Sequence, residues 1–250
     1  YKATLLKGNS LTDLTGGFGI DCAFLATRFK SAIYVERQQE LCEIAAHNFP
    51  ILNLNHINVK NEDGVSYLQA MSPVDCIFLD PARRNEHGGK TVAISDCEPD
   101  VAELEELLLN KAGQVMVKLS PMLDLSLALK ELQHVQEVHI ISANNECKEL
   151  LLILGQASVE EISIHCVNLP TKGTQEEQHF VFTREQEQRS ECNYTDTLEN
   201  YLYEPNASLL KAGAFRSIAS AFPVKKLHPN SHLYTSDVLV ESFPGRAFHI

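Results

Sequence analysis

An α/β fold is predicted: a mostly parallel sheet with helices on both faces, joined to a smaller C-terminal α+β domain. Three features of the 250 residues predict it. Strand-sized apolar runs alternate with helix-patterned segments as far as residue 154. The connections are short, as in successive βαβ units, whose buried strands read as continuous apolar runs. Near Gly155 the alternation stops, and two neighbouring strand patterns precede a helix. The expected domains are 1–157 and 158–250.

Leu11–Leu14 reads as the first strand, and TGGFG (15–19) follows at once. From Ile20 to Phe29 the pattern is helical, with Ile20, Phe24 or Leu25, and Phe29 on one side. AIYVE (32–36) is a buried strand, and 38–49 is helical with Leu41, Ile44, Ala45 and Asn48 aligned. INVKN (57–61) is the third strand, followed by the acidic turn Glu62-Asp63-Gly64 and a short helix around 65–70. Val74–Leu79 is the fourth. Pro99 and Asp100 open a helix striped by Val101, Leu104, Leu107 and Leu108. Gln114–Leu119, a helix near 123–133, Glu137–Ser142 and Leu150–Leu154 complete the first domain. Beyond it, 161–169 and 179–184 pattern as an antiparallel pair, and 185–197 as a polar linker or surface loop. Asn206 caps a helix predicted over 207–221, with a loop and a short strand to follow.

Composition narrows the function classes. Hydrophobic residues make up 44% and charged residues 22%, as in soluble globular proteins, and no apolar run is long enough to span a bilayer. Seven cysteines, widely spaced and without a C-x-x-C pair, favour free thiols in a reducing, cytoplasmic setting over disulfides or a thiolate zinc site. The first residue is Tyr1 rather than Met, so a longer chain is expected, although no signal-peptide pattern appears at the start. A net charge of −12 weighs against binding nucleic acid through phosphates alone. Residues 204–250 nevertheless carry five Lys or Arg against three Asp or Glu. No sequence feature sets an oligomeric state.

The chemistry-bearing residues lie at successive strand ends. Gly16, Gly17 and Gly19 follow the first strand, where backbone can approach a ligand and adopt conformations closed to other residues. No G-K-[ST] follows, and the dinucleotide G-x-G-x-x-G register is absent. Glu36 ends the second strand, where an acid can accept both ribose hydroxyls of an adenosine. Asp63 follows the third, where a carboxylate can receive the adenine amino group. Each acid alone reads equally well as an ordinary loop residue; together they favour adenosine binding.

With these residues in place, the chain resembles the class I S-adenosylmethionine-dependent methyltransferases, especially those acting on RNA bases. Asp13-Leu14-Thr15-Gly16-Gly17-Phe18-Gly19 looks like their D-L-[FY]-[AC]-G-x-G motif, with Thr15 at the aromatic position. Residues 45–64 resemble their A-x-x-N…N-V…G-D segment, with the acid–glycine order reversed at Asp63-Gly64. DCIFLDPARR (75–84) is similar to their D-P-P-R or D-P-P-Y motif. The resemblance implies S-adenosylmethionine held by Asp13, Thr15, Gly16, Gly17, Gly19, Asp21, Glu36, Arg37, Asp63 and Gly64. It implies a catalytic group of Asp80, Pro81 and Arg83. In amine-methylating relatives, the acid and the proline carbonyl accept hydrogens from the target amine, and an aromatic stacks on a base. Here Ala82 replaces the second proline and Arg83 the aromatic, and a guanidinium can stack on a base or grip a phosphate. Arg83 and Arg84 read either as substrate-binding groups or as a solvated turn paired with Glu86 or Glu98.

Uracil-5 methyltransferases need a cysteine just past strand five. VMVKLSP (115–121) offers only Ser120, so non-covalent transfer is expected. The C-terminal region resembles the THUMP-like part of a bacterial methyltransferase group, which implies RNA, tRNA or rRNA, as the partner. Lys225, Lys226 and His228 are its expected phosphate-facing patch. His228 and His232 stand four apart, but Pro229 breaks any helix between them, and no metal is expected. Tyr194, Tyr201 and Tyr203 read as core more readily than as base-stacking residues.

Overall fold

A computed structural model describes residues 1–83, 93–170 and 176–250, with Arg83 described in its backbone only. These residues form two compact units. One comprises Tyr1–Val135 and Leu152–Ser158, the other Gln136–Leu151 and Val159–Ile250.

The first unit alternates strand and helix as predicted. Its elements are α1 (Lys2–Leu5), β1 (Ser10–Asp13), α2 (Ile20–Ala26), β2 (Ser31–Glu36), α3 (Gln39–Ile51), β3 (Ile57–Asn61), α4 (Gly64–Ala70) and β4 (Val74–Leu79). A two-residue strand pair follows, β5 (Ala82–Arg83) antiparallel to β6 (Cys97–Glu98). Then come α5 (Val101–Lys111), β7 (Ala112–Leu119) and α6 (Leu125–Glu131). Helix starts are chemically marked: Asp63, Asp100 and Asp124 each accept two backbone N–H groups of the first turn of α4, α5 and α6. Such caps contribute about 1 kcal/mol each.

The strands run parallel in the order β7-β4-β1-β2-β3. Right-handed crossovers put α2 and α3 on one face and α4 and α5 on the other, and α4 does pack against α5. Ile77, Phe78, Leu79, Val115, Met116 and Val117 are buried between these layers. Each contributes about 1.5–3 kcal/mol relative to an exposed side chain. In α2 the buried stripe is Cys22, Leu25 and Ala26, so Leu25 rather than Phe24 faces the core. Ile20 and Phe24, expected beside Phe29, are exposed instead. From β1 the chain winds outward through β2 to β3, then returns to lay β4 on the opposite side of β1. The loops leaving β1 and β4 therefore diverge, which opens a crevice at their carboxyl ends.

The second unit contains most of β8 (Val135–Ala143) and the first part of β9 (Glu146–Gly155), joined by Asn144 and Asn145, both at positive φ. Asparagine tolerates this left-handed geometry, which suits a two-residue hairpin turn. Next follow β10 (Ser163–Leu169), parallel to β8, and β11 (Gln178–Thr183), the antiparallel pair of β10 that the sequence predicts. The polar stretch after it is not all loop. It begins with α7 (Arg184–Arg189), started by a reciprocal Thr183–Gln186 cap. A second sheet, in the order β13-β14-β12-β15, is built from β12 (Tyr201–Pro205), β13 (Lys225–Lys226), β14 (Tyr234–Ser236) and β15 (Gly245–His249).

The single helix expected over 207–221 is two, α8 (Ala207–Ala212) and α9 (Phe215–Ala221). Gly213, at φ 76°, ends the first in the left-handed conformation that stops a helix. Asn206 caps α8 as predicted, and Glu187 of α7 caps α9. The Glu187 carboxylate accepts the backbone N–H groups of Phe215, Arg216 and Ser217 at 2.8–3.1 Å. Among the described residues, no helix is long and apolar enough to cross a membrane. All seven cysteines are free thiols.

Candidate active site

The crevice is shaped first by hydrogen bonds between the two diverging loops. Leu14 N–H donates to the Phe78 carbonyl at 3.1 Å, and Asp80 N–H donates to Thr15 Oγ1 at 2.6 Å. Thr15, which stands where an aromatic was expected, thus fastens the loop after β1 to the loop after β4. Its own N–H donates to Asp13 Oδ1 at 3.0 Å.

The glycines serve different needs. A Cβ on Gly16 would lie 2.2 Å from the Tyr34 ring, so only glycine fits. Gly17 (φ 52°) has open space around it, and its N–H donates to Glu36 Oε2 at 2.9 Å. The Tyr34 hydroxyl donates to the Gly17 carbonyl. Glu36 Oε1 accepts Gln38 N–H at 2.8 Å, so this carboxylate organises the loops after β1 and β2 together. A Cβ on Gly64 would meet the Leu14 carbonyl oxygen at 2.2 Å, which brings the start of α4 against the first loop.

These contacts enclose a cavity of about 310 Å³. Its walls are Leu14, Thr15, Gly17, Glu36, Arg37, Gln38, Asp63, Gly64, Val65, Asp80, Ala82, Glu98 and Pro99. Seven of the expected residues (Thr15, Gly17, Glu36, Arg37, Asp63, Gly64 and Asp80) are thereby brought together. Gly16, Gly19, Asp21 and Pro81 stand outside the wall. Asp13 also lies outside it, buried beneath the turn. Its burial pushes the carboxyl up to about 7; the Thr15 N–H bond partly offsets this, while the charges of Asp21 and Asp80 add to it. Arg37 pairs with Glu98 at 2.9 Å, so Glu98 already has a cation partner. Arg84, Glu86 and the Arg83 side chain lie outside the described residues.

One participant is absent from the sequence expectations. Lys118 of β7 reaches Asp80 Oδ2 at 2.6 Å and Asp21 Oδ2 at 2.8 Å, and Lys2 holds the other Asp21 oxygen at 2.5 Å. Burial disfavours the Lys118 ammonium, but the bonds to Asp21 and Asp80 outweigh it and hold its pKa above the usual lysine value. Burial likewise pulls the Asp21 carboxyl up, yet its bonds to Lys118 and Lys2 leave it below the ordinary range. The available signal was a charged residue near the end of an otherwise apolar parallel strand, where apolar side chains are the rule.

The expected basic patch is corrected by strand alternation. Lys225 points outward and pairs with Glu199. Lys226 points inward and is 2% exposed. Its ammonium donates to the carbonyls of His228 and Pro229 and lies 5.9 Å from the centre of the Phe215 ring. Burial lowers its pKa. Lys225, Lys226 and His228 therefore do not present one phosphate-facing surface. His232 stacks on Phe215 at 3.8 Å rather than joining His228. Tyr203 is core, as expected, while Tyr194 is exposed.

Two family models match parts of the chain: protein-L-isoaspartate(D-aspartate) O-methyltransferase over residues 2–85, and a ferredoxin-like domain over 201–244. A crystal structure from Porphyromonas gingivalis W83, of a protein provisionally named a methyltransferase, is 40% identical with a TM-score of 0.89. That match covers 100% of this chain and 62% of the other. An rRNA methylase from Streptococcus thermophilus is 15% identical with a TM-score of 0.45, covering 62% of this chain and 92% of that one. A methyltransferase assigned provisionally in Streptococcus mutans, solved with S-adenosylhomocysteine (SAH), is 15% identical with a TM-score of 0.42, covering 60% and 89%. No curated protein matches.

The fold is that of the class I S-adenosylmethionine-dependent methyltransferases, with a small antiparallel sheet at its C-terminal end. Along its whole length the chain is similar to the Porphyromonas gingivalis protein, of which it spans 62%.

Proposed function

We propose that the chain is an S-adenosylmethionine-dependent methyltransferase acting on a base of structured RNA, tRNA or rRNA, without a covalent enzyme intermediate. The observation that carries the reading is the 310 Å³ cavity, which collects the glycine turn, Glu36, Asp63 and Asp80 at successive strand ends. Its size falls at the lower end of the range for small-molecule sites. The Gly17 backbone lies open on the wall, where a ligand can approach closely. Glu36 would accept the ribose hydroxyls and Asp63 the adenine amino group, with Thr15, Arg37 and Gly64 beside them. Asp13, Gly16, Gly19 and Asp21 would act through the turn they shape or brace.

When bound, S-adenosylmethionine supplies an electrophilic sulfonium methyl. The protein's part is positioning, which needs no strong base. Lys118 occupies Asp80 Oδ2, so Oδ1 is the oxygen we assign to the acceptor N–H, together with the Pro81 carbonyl. The ion pair also fixes the orientation of the Asp80 side chain. We assign Arg83 and Arg84 to the substrate. The RNA reading rests on the D-P motif and on the resemblance of 158–250 to a THUMP-like accessory domain. Lys225 and His228 remain on that domain's surface as candidate contacts. Seven free thiols support a cytoplasmic setting.

A second reading, methylation of a protein or small molecule, is favoured by the O-methyltransferase model. Its match ends at residue 85, so it covers the cofactor half and Asp80. Methyl-labelling of total RNA and total protein with the purified chain separates the two readings by which polymer takes the label. Asp80→Ala should abolish labelling while calorimetric binding of S-adenosylmethionine is largely kept. Unchanged labelling, or no heat of binding at all, would sink the proposal.

A further inference from the structure

Far along the chain from the residues lining the crevice, four titratable side chains gather on one sheet face of the second unit. Glu137 and His139 are two apart on β8 and so point to the same side. His165 on β10 is the direct cross-strand partner of His139. His179 on β11 lies two pairs further and so on the same face, opposite Val167. His139 Nε2 is 3.0 Å from Glu137 Oε2, and His165 Nδ1 is 3.2 Å from His179 Nε2. The ligand atoms of Glu137, His139 and His165 all lie within 4.8 Å of one another.

We propose that Glu137, His139 and His165 bind one zinc ion, with His179 as the fourth ligand. Zinc–nitrogen and zinc–oxygen bonds of about 2.0–2.2 Å set neighbouring donors in a tetrahedron roughly 3.3–3.5 Å apart. Two of the donor pairs already stand close to that separation. The remaining closure requires the His139 and His165 rings, stacked at 4.3 Å, to splay apart. His139 is 2% exposed, while Glu137 and His179 are at the surface and can adjust. Three imidazoles and one carboxylate suit zinc over magnesium or calcium, which prefer all-oxygen sites. Because the ligands come from three strands, their sequence spacing resembles no zinc motif. The ion would clamp β8, β10 and β11 across their ladders.

The test uses the full chain, stripped with a chelator and then titrated with Zn²⁺ by calorimetry and with Co²⁺ by visible absorption. One ion per chain is expected, with cobalt d–d bands, no thiolate charge-transfer band, and a zinc-dependent rise in Tm. Glu137→Gln and His179→Ala should each weaken binding at least tenfold, and His165→Ala should abolish it, with circular dichroism unchanged. The proposal is overturned by absence of stoichiometric binding, by full affinity in His165→Ala, or by a thiolate band placing the metal on cysteine.

Discussion

Lys118 Nζ lies 2.6 Å from Asp80 Oδ2 and, on its other side, 2.8 Å from Asp21 Oδ2. One ammonium from β7 thus joins the acid after β4 to the acid that opens α2. Lys118→Met should take the Lys118 cation from Asp80 and leave Asp21 with Lys2, lowering stability by about 1–3 kcal/mol, less than for a fully buried pair because the Asp80 side chain is 41% exposed. Adding Asp80→Asn should recover part of that loss. Urea denaturation of the two single variants and the double variant checks this, and strict additivity would refute the coupling.

Asp13 should make stability depend on pH. Its carboxyl rises from 3.8 to about 7 on folding, so between those values the folded chain holds a proton that the unfolded chain releases. The contribution is therefore full below about pH 4 and falls as pH rises toward 7. Asp13→Asn keeps an acceptor for the Thr15 N–H but cannot ionise. Relative to the original chain, it should gain about 2–4 kcal/mol between pH 4 and pH 8. Denaturant midpoints at the two pH values read the difference.

Two glycines in the cavity wall should differ sharply. Gly64→Ala drives a Cβ to within 2.2 Å of a backbone carbonyl, which cannot yield without moving α4. Gly17→Ala meets nothing nearer than 3.9 Å and carries only its left-handed φ, a cost of roughly 1–2 kcal/mol. Titration with S-adenosylmethionine should show at least a tenfold loss for Gly64→Ala and a smaller one for Gly17→Ala.

Glu36→Gln replaces one of two accepting oxygens with an NH2 group. Either Gly17 N–H or Gln38 N–H then faces a donor. A destabilisation of about 1–3 kcal/mol follows from the unmatched group. Cofactor affinity should fall by a factor of ten or more, measured by calorimetry.

Much of the first unit was legible because buried parallel strands and short connections leave strong local patterns. INVKN and Val74–Leu79 begin and end where expected, and the glycine turn, Glu36, Asp63 and Asp80 share one cavity. The rest depended on which way single side chains point. Lys118 was hidden in an apolar run, since its importance comes from two acids distant in sequence. Lys226 turned inward because neighbours on a strand alternate, so KK could not be two surface charges. The helical pattern over 207–221 runs on through Gly213, whose left-handed conformation breaks the helix there. His139, His165 and His179 meet only through strand register.

The carboxylate of Glu187 has a practical bearing on how this protein can be dissected. Ala214, at the start of α9, offers no side-chain cap, so the helix takes its acceptor from a residue 28 positions earlier. The ferredoxin-like match over 201–244 leaves out that residue, and also β15, which pairs with β12. A fragment trimmed to the match would expose three amides and one sheet edge. Any excised piece meant to keep its shape must begin upstream of Arg184 and run through His249.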